Sequence, residues 1–575
     1  MLRNLLYALG VLMLAISLVF LFKSKKNSYA TDESTIQTGK KNFTKYCISC
    51  HSLQEEGIGP RLGGITLLLS ERGLKSFINN PAKIIQSGEE RAITLQARYK
   101  QLMPAYEWMA DSEIHSILSY IHHETEQHKI EPLTIIHKDK TEGGLSGRLV
   151  TPVRKSGLKI TLEDFIQIPR LVDSSPDLGI ATLRPHPSGD GRLFVSDQGG
   201  VLYQIINGRS AIFLDLRSEI KNFSIGPGIA TGLGSFDFHP DFLNNGIIYI
   251  THAEKFNGEI PDYAISDSIK AGMQWVLSEW KMNNINEKVF KGKRRELLRL
   301  HAPTYGHGAQ DIGFIPGLSK TDPDYGLLYW GFGDGGSNNI GRPDLGHTLK
   351  SFLGTILRIN PLGKNSRNGK YGIPEDNPFF NHADPTTIKE IWAYGFRNPH
   401  RMSWDIAHEN RMMVTDIGES NIEEINIVEK GGDYGWPDRE GNYGISTKKD
   451  LKTVFKLKER DLDLFKRPFA QYDHLDGNAV SGGYVYDGDL VNLKNKYVFG
   501  DIVNGKLLYL NIDQHLSDST IYEIDGIIQN GKETNLREMS KAKRLHLRIG
   551  YDRFTKQLFV MTKVDGMIRR VTKAY

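Results

Sequence analysis

Short β-rich runs that recur through the C-terminal part of the chain constrain its fold more than any other feature. Several of them end in Asp-Gly or Gly-Gly turns, which is typical of strands joined by tight hairpins. The runs recur at roughly 70 residues, which leaves room for a four-stranded unit with long inserted loops. Six units predict an all-β domain, a six-bladed β-propeller, with a pair of β-sandwiches as the structural alternative. The runs are RLFVSDQGGVLYQI (192–205), GIIYITHAE (246–254), GLLYWGFGDGG (326–336), RMMVTDIGE (411–419), KYVFGDIVNGKLLYL (496–510) and QLFVMTKVDGMIRRV (557–571).

The propeller domain is predicted to span residues 159–575. Propellers usually close by pairing strands from the two ends of their sequence, and ITLEDFIQI (160–168) is the candidate strand to join the C-terminal blade. The preceding segment, 126–158, is polar and contains Lys, Glu, Thr and Gly, a composition that predicts a linker. A separate domain is therefore expected ahead of residue 126.

Residues 47–51 read CISCH, and Cys47 and Cys50 are the 2 cysteines of the 575-residue chain. The C-x-x-C-H spacing is that of a c-type haem attachment site, in which both thiols bond to the haem vinyl groups. His51 follows the second thioether at once and is predicted to be the proximal iron ligand. A disulfide or a zinc half-site is the alternative interpretation of the cysteine pair.

A second iron ligand is expected from QLMPAYEWMADSEIHSILSYIHHE (101–124). Met103 precedes Pro104, which ends regular structure and fixes the loop, so Met103 is the predicted sixth ligand. A thioether there raises the haem potential and favours electron transfer over oxygen binding. Met109 is the rival, but it lies against a helix predicted to begin at Asp111. Three histidines of that helix could also bind iron but are expected to be solvated: His115, His122 and His123.

The N-terminal segment is apolar. Leu5–Phe22 carries no charge, and basic residues flank it on both sides. This pattern predicts one membrane-spanning helix or the apolar region of a signal peptide within residues 1–30. Ser28-Tyr29-Ala30 offers a small-residue cleavage site. Both interpretations place the domains outside the cytoplasm, in the periplasm, anchored in the inner membrane if the segment stays uncleaved.

The charge of the chain is nearly balanced. The 72 Lys and Arg residues and 68 Asp and Glu residues give a formal net charge of +4. Since no basic block stands out, nucleic acid is not an expected partner. The haem motif uses both cysteines, so an exported form of this chain would depend on packing and metals and not on disulfides.

Polar residues embedded in apolar stretches mark two candidate places for chemistry near the propeller axis. Tyr305–Asp311 contains His307, and EIWAYGFRNPHRMSWD (390–405) contains Arg397 and Asn398. A histidine can take a proton from an alcohol, while Arg and Asn can stabilise a developing oxygen charge or hold an acidic cofactor. A structural histidine and a paired structural arginine are the alternatives at the two places.

Residues 36–125 resemble a small class I cytochrome c. The similarity lies in CISCH, in GIGPRLGGI (57–65) and in MPAYEWMADSEI (103–114). In that family the Gly-Pro segment packs on the proximal side of the haem. The resemblance implies a small all-α domain with one haem c that transfers electrons, and we expect it to span residues 31–125.

Residues from about 166 onwards resemble the glucose/sorbosone dehydrogenase family, the soluble quinoprotein aldose dehydrogenases. The resemblance implies a six-bladed propeller, pyrroloquinoline quinone (PQQ) on its axis, and calcium that bridges the quinone to the protein. Eight stretches in order carry the similarity: FDFHPDFLNNGIIYI (236–250), HGAQDIGF (307–314), LYWGFGDGG (328–336), FLGTILRINP (352–361), YGIPEDNPF (371–379), EIWAYGFRNPHRMSWD (390–405), TDIGESNIEEINIVEKGGDYGWPDREG (415–441) and SGGYVYDG (481–488).

The same resemblance implies roles for individual residues. His307 would remove the proton of a sugar C1 hydroxyl while hydride passes from C1 to the quinone and a lactone forms. Arg397 and Asn398 would contact quinone and substrate oxygens. Gly418 and Glu419 would offer backbone carbonyls to calcium, an ion that prefers oxygen ligands. Two neighbours, Glu423 and Glu424, could serve a structural calcium or cap the following strand.

The chain departs from the family pattern at several quinone contacts. Arg544 and Arg548 align only loosely with basic residues near the family's C-terminus. We therefore expect this branch either to hold the quinone differently or to use none. Four positions where the family has polar or charged partners carry other residues here: Ala230, Gly306, Ile417 and Val503.

The two domains together predict an exported dehydrogenase with its own electron acceptor. A sugar or other polyol would be oxidised at the propeller, and electrons would pass singly to the tethered haem and then to an external acceptor. The alternative is a non-catalytic propeller that binds partners, as in the hedgehog-interacting proteins, which resemble it. A propeller redox enzyme with a different cofactor is a third possibility.

Overall fold

The structure is a computed structural model that divides into two compact units, one helical and one rich in β-strands. The predicted N-terminal apolar helix, Leu5–Phe22, lies outside the described residues. Within the described part of the chain, no helix is both long and apolar enough to cross a membrane. The structure describes residues 29–575 except 49, 55–58, 100–102, 134–143, 146, 172–177, 227–229, 266–270, 447–449 and 458–462.

The N-terminal unit is built from helices. Its first helix begins after Asp32, whose side chain accepts a hydrogen bond from the Thr35 N–H at 2.9 Å, as helix N-caps do. This first helix packs against the last one, and the rings of Phe43 and Tyr120 meet edge to face between them. The helices are α1 (Glu33–Tyr46), α2 (Ile65–Leu68), α3 (Glu71–Asn79), α4 (Pro81–Gln86), α5 (Glu90–Tyr99) and α6 (Asp111–His128).

The segment predicted as a linker, 126–158, contains regular structure at both ends. Helix α6 runs on to His128, beyond the expected start of the linker. Near the other end, Arg154–Lys155 forms a strand that pairs in parallel with Tyr522–Glu523. The Leu145 N–H also donates to the Val454 carbonyl at 2.9 Å. Composition alone could not show these pairings, because their partners lie far away in the sequence.

The C-terminal unit is mostly β-sheet. Its first strands are β1 (Arg154–Lys155), β2 (Lys159–Gln167), β3 (Ile180–Pro185), β4 (Leu193–Asp197), β5 (Val201–Ile206), β6 (Arg209–Asp215), β7 (Leu233–Phe238), β8 (Ile247–Lys255), β9 (Met273–Met282), β10 (Gly292–Ala302), β11 (Ala309–Gly313), β12 (Leu328–Phe332), β13 (Thr355–Ile359) and β14 (Ile391–Tyr394). The others are β15 (Pro399–Asp405), β16 (Arg411–Asp416), β17 (Ile422–Val428), β18 (Arg439–Glu440), β19 (Tyr443–Ser446), β20 (Asp450–Lys456), β21 (Ala470–Asp473), β22 (Tyr484–Val485), β23 (Lys496–Gly500), β24 (Leu507–Asn511), β25 (Tyr522–Glu523), β26 (Gly526–Gln529), β27 (Lys532–Thr534), β28 (Leu547–Asp552), β29 (Gln557–Thr562) and β30 (Met567–Ala574). Short helices lie between strands: α7 (Leu216–Glu219), α8 (Phe242–Asn245), α9 (Leu536–Ser540) and the 3₁₀ helices Ser337–Ile340, Pro343–Gly346 and Val491–Leu493.

Most of these strands form four-stranded meanders. Strands β3 to β6, β7 to β10 and β11 to β14 each form one sheet, and β15, β16, β17 and β21 form another. Strands β22 to β25 form a sheet extended by β1, and β28 to β30 with β2 form one extended by β26 and β27. Strands β18 to β20 make a small three-stranded sheet within the described residues.

The sheets follow one another in a closed ring. Strand β2 pairs with β30, with Leu162 opposite Val571, which confirms the predicted closing role of ITLEDFIQI. The first strand of each large sheet contacts the first strand of the next sheet. In order, the contacts are β3 with β7, β7 with β11, β11 with β15, β15 with β22, β22 with β28, and β28 with β3 again. A pair of sandwiches would not close such a ring, so the unit is a propeller-like β domain.

The core lies between successive sheets. One cluster joins Trp275 and Leu298 of the second sheet to Trp330, Phe332 and Leu357 of the third. Strands such as β4 and β12 are buried along their whole length, because each has a neighbouring sheet on both faces. This packing fixes the ends of β11 and β15, the first strands of two sheets, and the predicted site residues lie just before these strands.

Candidate functional site

The CISCH motif lies at the end of α1. The Cys47 N–H donates to Phe43 O at 2.8 Å, and the His51 N–H donates to Cys47 O at 2.9 Å. His51 Nδ1 lies 2.7 Å from Pro60 O, and a carbonyl only accepts, so Nδ1 carries the proton and Nε2 has the lone pair that the predicted iron ligand requires. A Cβ at Gly59 would lie 2.4 Å from His51 Cε1, so this position requires glycine.

The two candidate methionines differ in their surroundings. Met109 is buried, with 5% of its surface exposed, while Met103 is only partly buried in the loop ahead of α6. The loop is fixed by the Tyr106 N–H, which donates to Ile78 O at 3.1 Å, and by the Met109 N–H, which donates to Tyr106 O at 2.9 Å. The core already uses the Met109 side chain, so Met103 stays the predicted iron ligand.

Of the three histidines of α6 that were predicted to be solvated, His115 and His122 are only partly exposed and have side-chain partners. His115 Nδ1 lies 2.8 Å from Glu71 Oε1, and His122 Nδ1 lies 3.1 Å from Thr66 Oγ1. Burial lowers the pKa of His122, so its ring stays neutral near pH 7. Both side chains therefore serve contacts between helices. They were misjudged because their partners lie on α2 and α3.

His307 and Asp334 form a hydrogen-bonded pair in the β unit. His307 lies just before β11 with a φ of 42°, a conformation that is costly for a residue other than glycine. Its Nδ1 is 2.7 Å from Asp334 Oδ1. Asp334 is 1% exposed and also accepts from Gly336 N at 2.9 Å and from Trp436 Nε1 at 3.2 Å. A carboxylate accepts, so Nδ1 carries the proton and Nε2 is the basic nitrogen.

Asp334 also connects the two candidate places for chemistry, the one that contains His307 and the one that contains Arg397. Its N–H donates to the Arg397 carbonyl at 2.8 Å. Burial would raise the pKa of Asp334, but the charge and hydrogen bond of His307 and the charge of Arg397 hold this pKa below its ordinary value. The carboxylate is therefore ionised at neutral pH. The sequence showed Asp334 only as part of the turn GFGDGG, and Trp436 was not singled out.

Arg397 is held by three oxygens. Nε donates to Glu419 Oε2 at 2.9 Å, and Nη2 lies 2.8 Å from the same oxygen. Nη1 donates to Ile417 O at 3.0 Å and to Gly418 O at 2.7 Å. The guanidinium carbon lies 5.6 Å from the centre of the Trp436 ring, a cation–π distance. Burial lowers the pKa of Arg397, but the nearby carboxylates, Glu419 first, raise it above its ordinary value.

Asp416 fixes the backbone of the predicted Arg-Asn pair. Its two carboxylate oxygens accept from Asn398 N at 2.6 Å and from Arg397 N at 3.0 Å. Burial and the neighbouring Glu424 raise the pKa of Asp416 well above its ordinary value. Asn398 Oδ1 is buried and has no hydrogen-bond partner among the described residues. This carbonyl is therefore available to a bound molecule.

A second carboxylate holds the loop that carries Gly418 and Glu419. Glu440, 2% exposed, accepts the N–H groups of Ser420, Asn421 and Ile422 at 3.0, 2.8 and 3.0 Å. A Cβ on Gly418 would lie 1.8 Å from Ile422 O, so the loop needs glycine there. Glu440 was not expected from the sequence, because it lies beyond the loop that it holds.

The calcium predicted on the backbone carbonyls of Gly418 and Glu419 does not fit beside the Arg397 guanidinium. The Gly418 carbonyl already accepts a hydrogen bond from this guanidinium and the Glu419 side chain pairs with it, whereas calcium needs six to eight oxygens. No group of three or more His, Cys, Asp or Glu side chains in the described ranges is arranged to hold a metal ion. Glu423 and Glu424 serve protein donors instead: Glu423 accepts from Val480 N at 2.8 Å and Glu424 from Gly441 N at 2.5 Å.

His400, which follows Asn398 by two residues, is buried and under the influence of several positive charges. Burial and the charges of Arg548, Arg401 and Lys563 lower the pKa of His400 well below its ordinary value, so its ring is neutral. Burial and the charges of Arg401 and Arg544 lower the pKa of Arg548, but an arginine keeps its proton. His400 Nδ1 and Arg548 Nε are buried without a hydrogen-bond partner among the described residues.

This group of residues fits an acidic guest. A buried arginine charge needs an anion, and a tricarboxylic quinone such as PQQ would supply one to Arg548. His400 Nδ1 and Asn398 Oδ1 are also buried without a partner among the described residues, and the Asn398 oxygen can only accept a hydrogen bond. Of the two loosely aligned arginines, Arg548 is buried, whereas Arg544 is exposed. The family contacts absent at Ala230, Gly306, Ile417 and Val503 have no equivalent at those four positions, so Arg548 and His400 are the candidate groups for holding an acidic guest.

The comparisons with known proteins agree with both domains. Residues 183–553 match the family model for glucose/sorbosone dehydrogenase, and residues 36–125 match that for cytochrome c. The HIPL1 protein of Arabidopsis thaliana is 27% identical over 376 residues, which is 55% of this chain and 50% of that protein. Quinoprotein glucose dehydrogenase B of Acinetobacter calcoaceticus is 26% identical over 247 residues, 39% of this chain and 45% of that protein. The chain thus spans about half the length of the curated relatives it matches.

The solved structures resemble the β unit. The apo-form of the soluble aldose sugar dehydrogenase from Escherichia coli aligns with a TM-score of 0.50 and 18% identity, covering 72% of this chain and 99% of that one. At this identity the likeness supports the fold alone. The family model, however, matches more than half of the present sequence. The chain therefore belongs to the glucose/sorbosone dehydrogenase family, and it carries a cytochrome c domain ahead of the family domain.

Proposed function

We propose that this protein is an exported quinoprotein dehydrogenase that oxidises an aldose sugar or a related alcohol and passes the electrons to its own c-type haem. The observation that carries the proposal is the His307–Asp334 pair, joined through the Asp334 N–H to the carbonyl of Arg397. A base and a buried cation next to each other suit the oxidation of an alcohol. A haem motif in the same chain gives the electrons an acceptor.

In this proposal the six larger sheets are the blades of a six-bladed propeller. The contacts between successive first strands and the pairing of β2 with β30 support this arrangement. His307 precedes β11, and Arg397 and Asn398 precede β15. Both strands belong to the ring, so residues that enter them from one end can share a single site near the axis.

His307 is the proposed general base. Its Nδ1 is bound by Asp334, so Nε2 accepts the proton of the substrate hydroxyl. The ionised Asp334 then stabilises the imidazolium and holds the ring in one orientation. The hydrogen bond from Trp436 to Asp334 keeps that carboxylate in place. A proton acceptor held in this way needs no rearrangement when the hydroxyl reacts.

PQQ, when bound, supplies the acceptor of the hydrogen and electrons that leave the sugar carbon. Arg548 and His400 are the residues that would hold its carboxylates, and the carbonyl oxygen of Asn398 would accept a hydrogen bond from an N–H or O–H group of the quinone or substrate. Arg397 places a positive charge where oxygen charge develops and so stabilises it. These residues come from β15, β28 and the loop before β15, so the intact ring of sheets is needed to assemble them.

The haem domain is the proposed outlet. His51 Nε2 and the Met103 sulfur would bind the iron, and a His/Met pair suits rapid electron transfer. Electrons then pass to an external acceptor. The chain is proposed to work in the periplasm, held at the inner membrane by residues 5–22 if they are uncleaved, with no nucleic acid partner.

The test uses the purified full-length chain, loaded with PQQ and mixed with aldoses while the haem bands are recorded. We expect the haem to become reduced, and we expect His307→Gln to abolish this reduction without changing haem content. His382→Gln, on an exposed histidine, is the matched control and should behave like the wild type. Failure of every aldose and of quinone binding would favour the non-catalytic binding module, which would keep its partner after the His307 change.

A further inference from the structure

We propose that Arg397 occupies the cation position predicted for calcium, so that this protein binds its quinone without calcium. The guanidinium is the resident cation of the loop at residues 417–419. The first half of the proposal, that Arg397 takes the place of calcium, concerns the protein alone. The second half, that the quinone binds without calcium, rests on the proposed function.

Oxygens of the loop that was predicted to hold calcium converge on the guanidinium instead. They are the Gly418 carbonyl, which is one of the two predicted calcium ligands, the Ile417 carbonyl and the carboxylate of Glu419, at 2.7 to 3.0 Å from Arg397 nitrogens. The side chains of Arg397 and Glu419 are each 5% exposed. A second cation placed here would lie beside a buried positive charge and would compete with it for the Glu419 carboxylate and for both carbonyls.

Hydrogen bonds to two carboxylates hold the backbone on either side of the loop at residues 417–419. Glu440 accepts three consecutive N–H groups from residues 420–422, and Asp416 accepts those of Arg397 and Asn398. Both anchors lie at the ends of the segment that carries the oxygens. The carbonyls are therefore fixed in the direction of the guanidinium by contacts that do not involve a metal.

Glu419 is what makes an arginine stable in this position. Its carboxylate takes two of the guanidinium contacts, and the two carbonyls take two more. A guanidinium has five N–H donors, so one is left for an oxygen of a bound quinone or substrate. Arg397 can thus do what a bridging cation would do, since it joins the loop oxygens to the guest and adds positive charge.

Calorimetric titration of calcium into the full-length chain, without quinone, tests the first half. We expect Arg397→Met to gain calcium affinity by at least about tenfold over the wild type, because it leaves Glu419 and two carbonyls without a cation. Arg397→Lys, the matched control, keeps a charge and should stay like the wild type. The double variant R397M/E419Q should lose the gain.

Two results would overturn this assignment. One is calcium binding by the wild type that Glu419→Gln abolishes. The other is a well-folded Arg397→Met protein, with an unchanged far-ultraviolet spectrum, that binds calcium no better than the wild type. The wild-type and Glu419→Gln titrations decide the question even if Arg397→Met does not fold.

Quinone titration with and without a chelator tests the second half. Equal PQQ affinity in EDTA and in calcium is expected, and a calcium requirement for PQQ binding would overturn the proposal. No PQQ binding under either condition would overturn the proposed function instead. The calcium titrations would then still decide what Arg397 does.

Discussion

The Nδ1 atom of His307 lies 2.7 Å from Asp334 Oδ1, and this contact joins the loop before β11 to the turn after β12. Replacing Asp334 with Asn keeps the shape but presents an amide, which no longer selects the tautomer with a basic Nε2. We expect kcat for haem reduction to fall about 10²- to 10⁴-fold. The PQQ-loaded enzyme is assayed with aldose under saturating conditions. Activity near that of the wild type would show that the pair is only structural.

Gly59 makes room for the ring of His51. A Cβ at this position would lie 2.4 Å from His51 Cε1, so Gly59→Ala should displace the ring and weaken the bond to iron. We expect a loss of low-spin haem absorbance in the purified protein. Gly73→Ala is the control, because the nearest atom to its Cβ is the Ser70 hydroxyl at 3.3 Å. Equal spectra for the two variants would contradict the placement of His51.

Met103 and Met109 should respond differently to leucine. Met103→Leu removes the predicted ligand, so the sulfur-to-iron band should disappear and the haem potential should fall. Met109→Leu changes only packing, and should lower the free energy of unfolding by less than about 1.5 kcal/mol. Optical spectroscopy and redox titration distinguish them. Loss of the band in the Met109 variant alone would reverse the assignment.

His347 should make stability depend on pH. Its Nε2 lies 2.9 Å from Asp433 Oδ1, and the carboxylates of Asp433 and Asp438 outweigh burial and raise the pKa of His347 to about 9. The unfolded value is near 6.5, so the stabilisation, about 3 kcal/mol, is complete below pH 6.5 and is lost as pH rises towards 9. Chemical denaturation between pH 6 and 10 measures it. His347→Gln should flatten the profile in this window, and an unchanged slope would refute the pairing.

Tyr29 belongs to the core of the helical unit. It is 8% exposed, its ring centre lies 4.7 Å from that of His122, and the Ala30 N–H donates to Ser119 Oγ at 3.1 Å. Cleavage after Ala30 would remove this side chain, so we expect the mature chain to retain Tyr29. Intact mass measurement of the protein purified from its native cells checks this. A chain beginning at Thr31 would contradict it, and Tyr29→Ala should cost about 3 kcal/mol of unfolding free energy.

The parts of this structure that could be predicted from sequence depend on local signals. CISCH predicts His51 as the haem ligand because its three key residues are neighbours, and ITLEDFIQI was identified as the closing strand from its position. Asp334 and Glu440 could not be identified in this way, because each acts on a residue well removed from it in the chain. The calcium prediction was transferred from a motif. It did not include Arg397, which takes the Gly418 carbonyl and pairs with the Glu419 side chain.

The central claim is that one chain oxidises the sugar and reduces its own haem. Anaerobic stopped-flow mixing of the PQQ-loaded protein with aldose, followed at the haem bands over a range of protein concentrations, tests it most directly. We predict full haem reduction with a first-order rate that is independent of protein concentration, and none in His307→Gln. No haem reduction, or reduction that persists in His307→Gln, would contradict the claim.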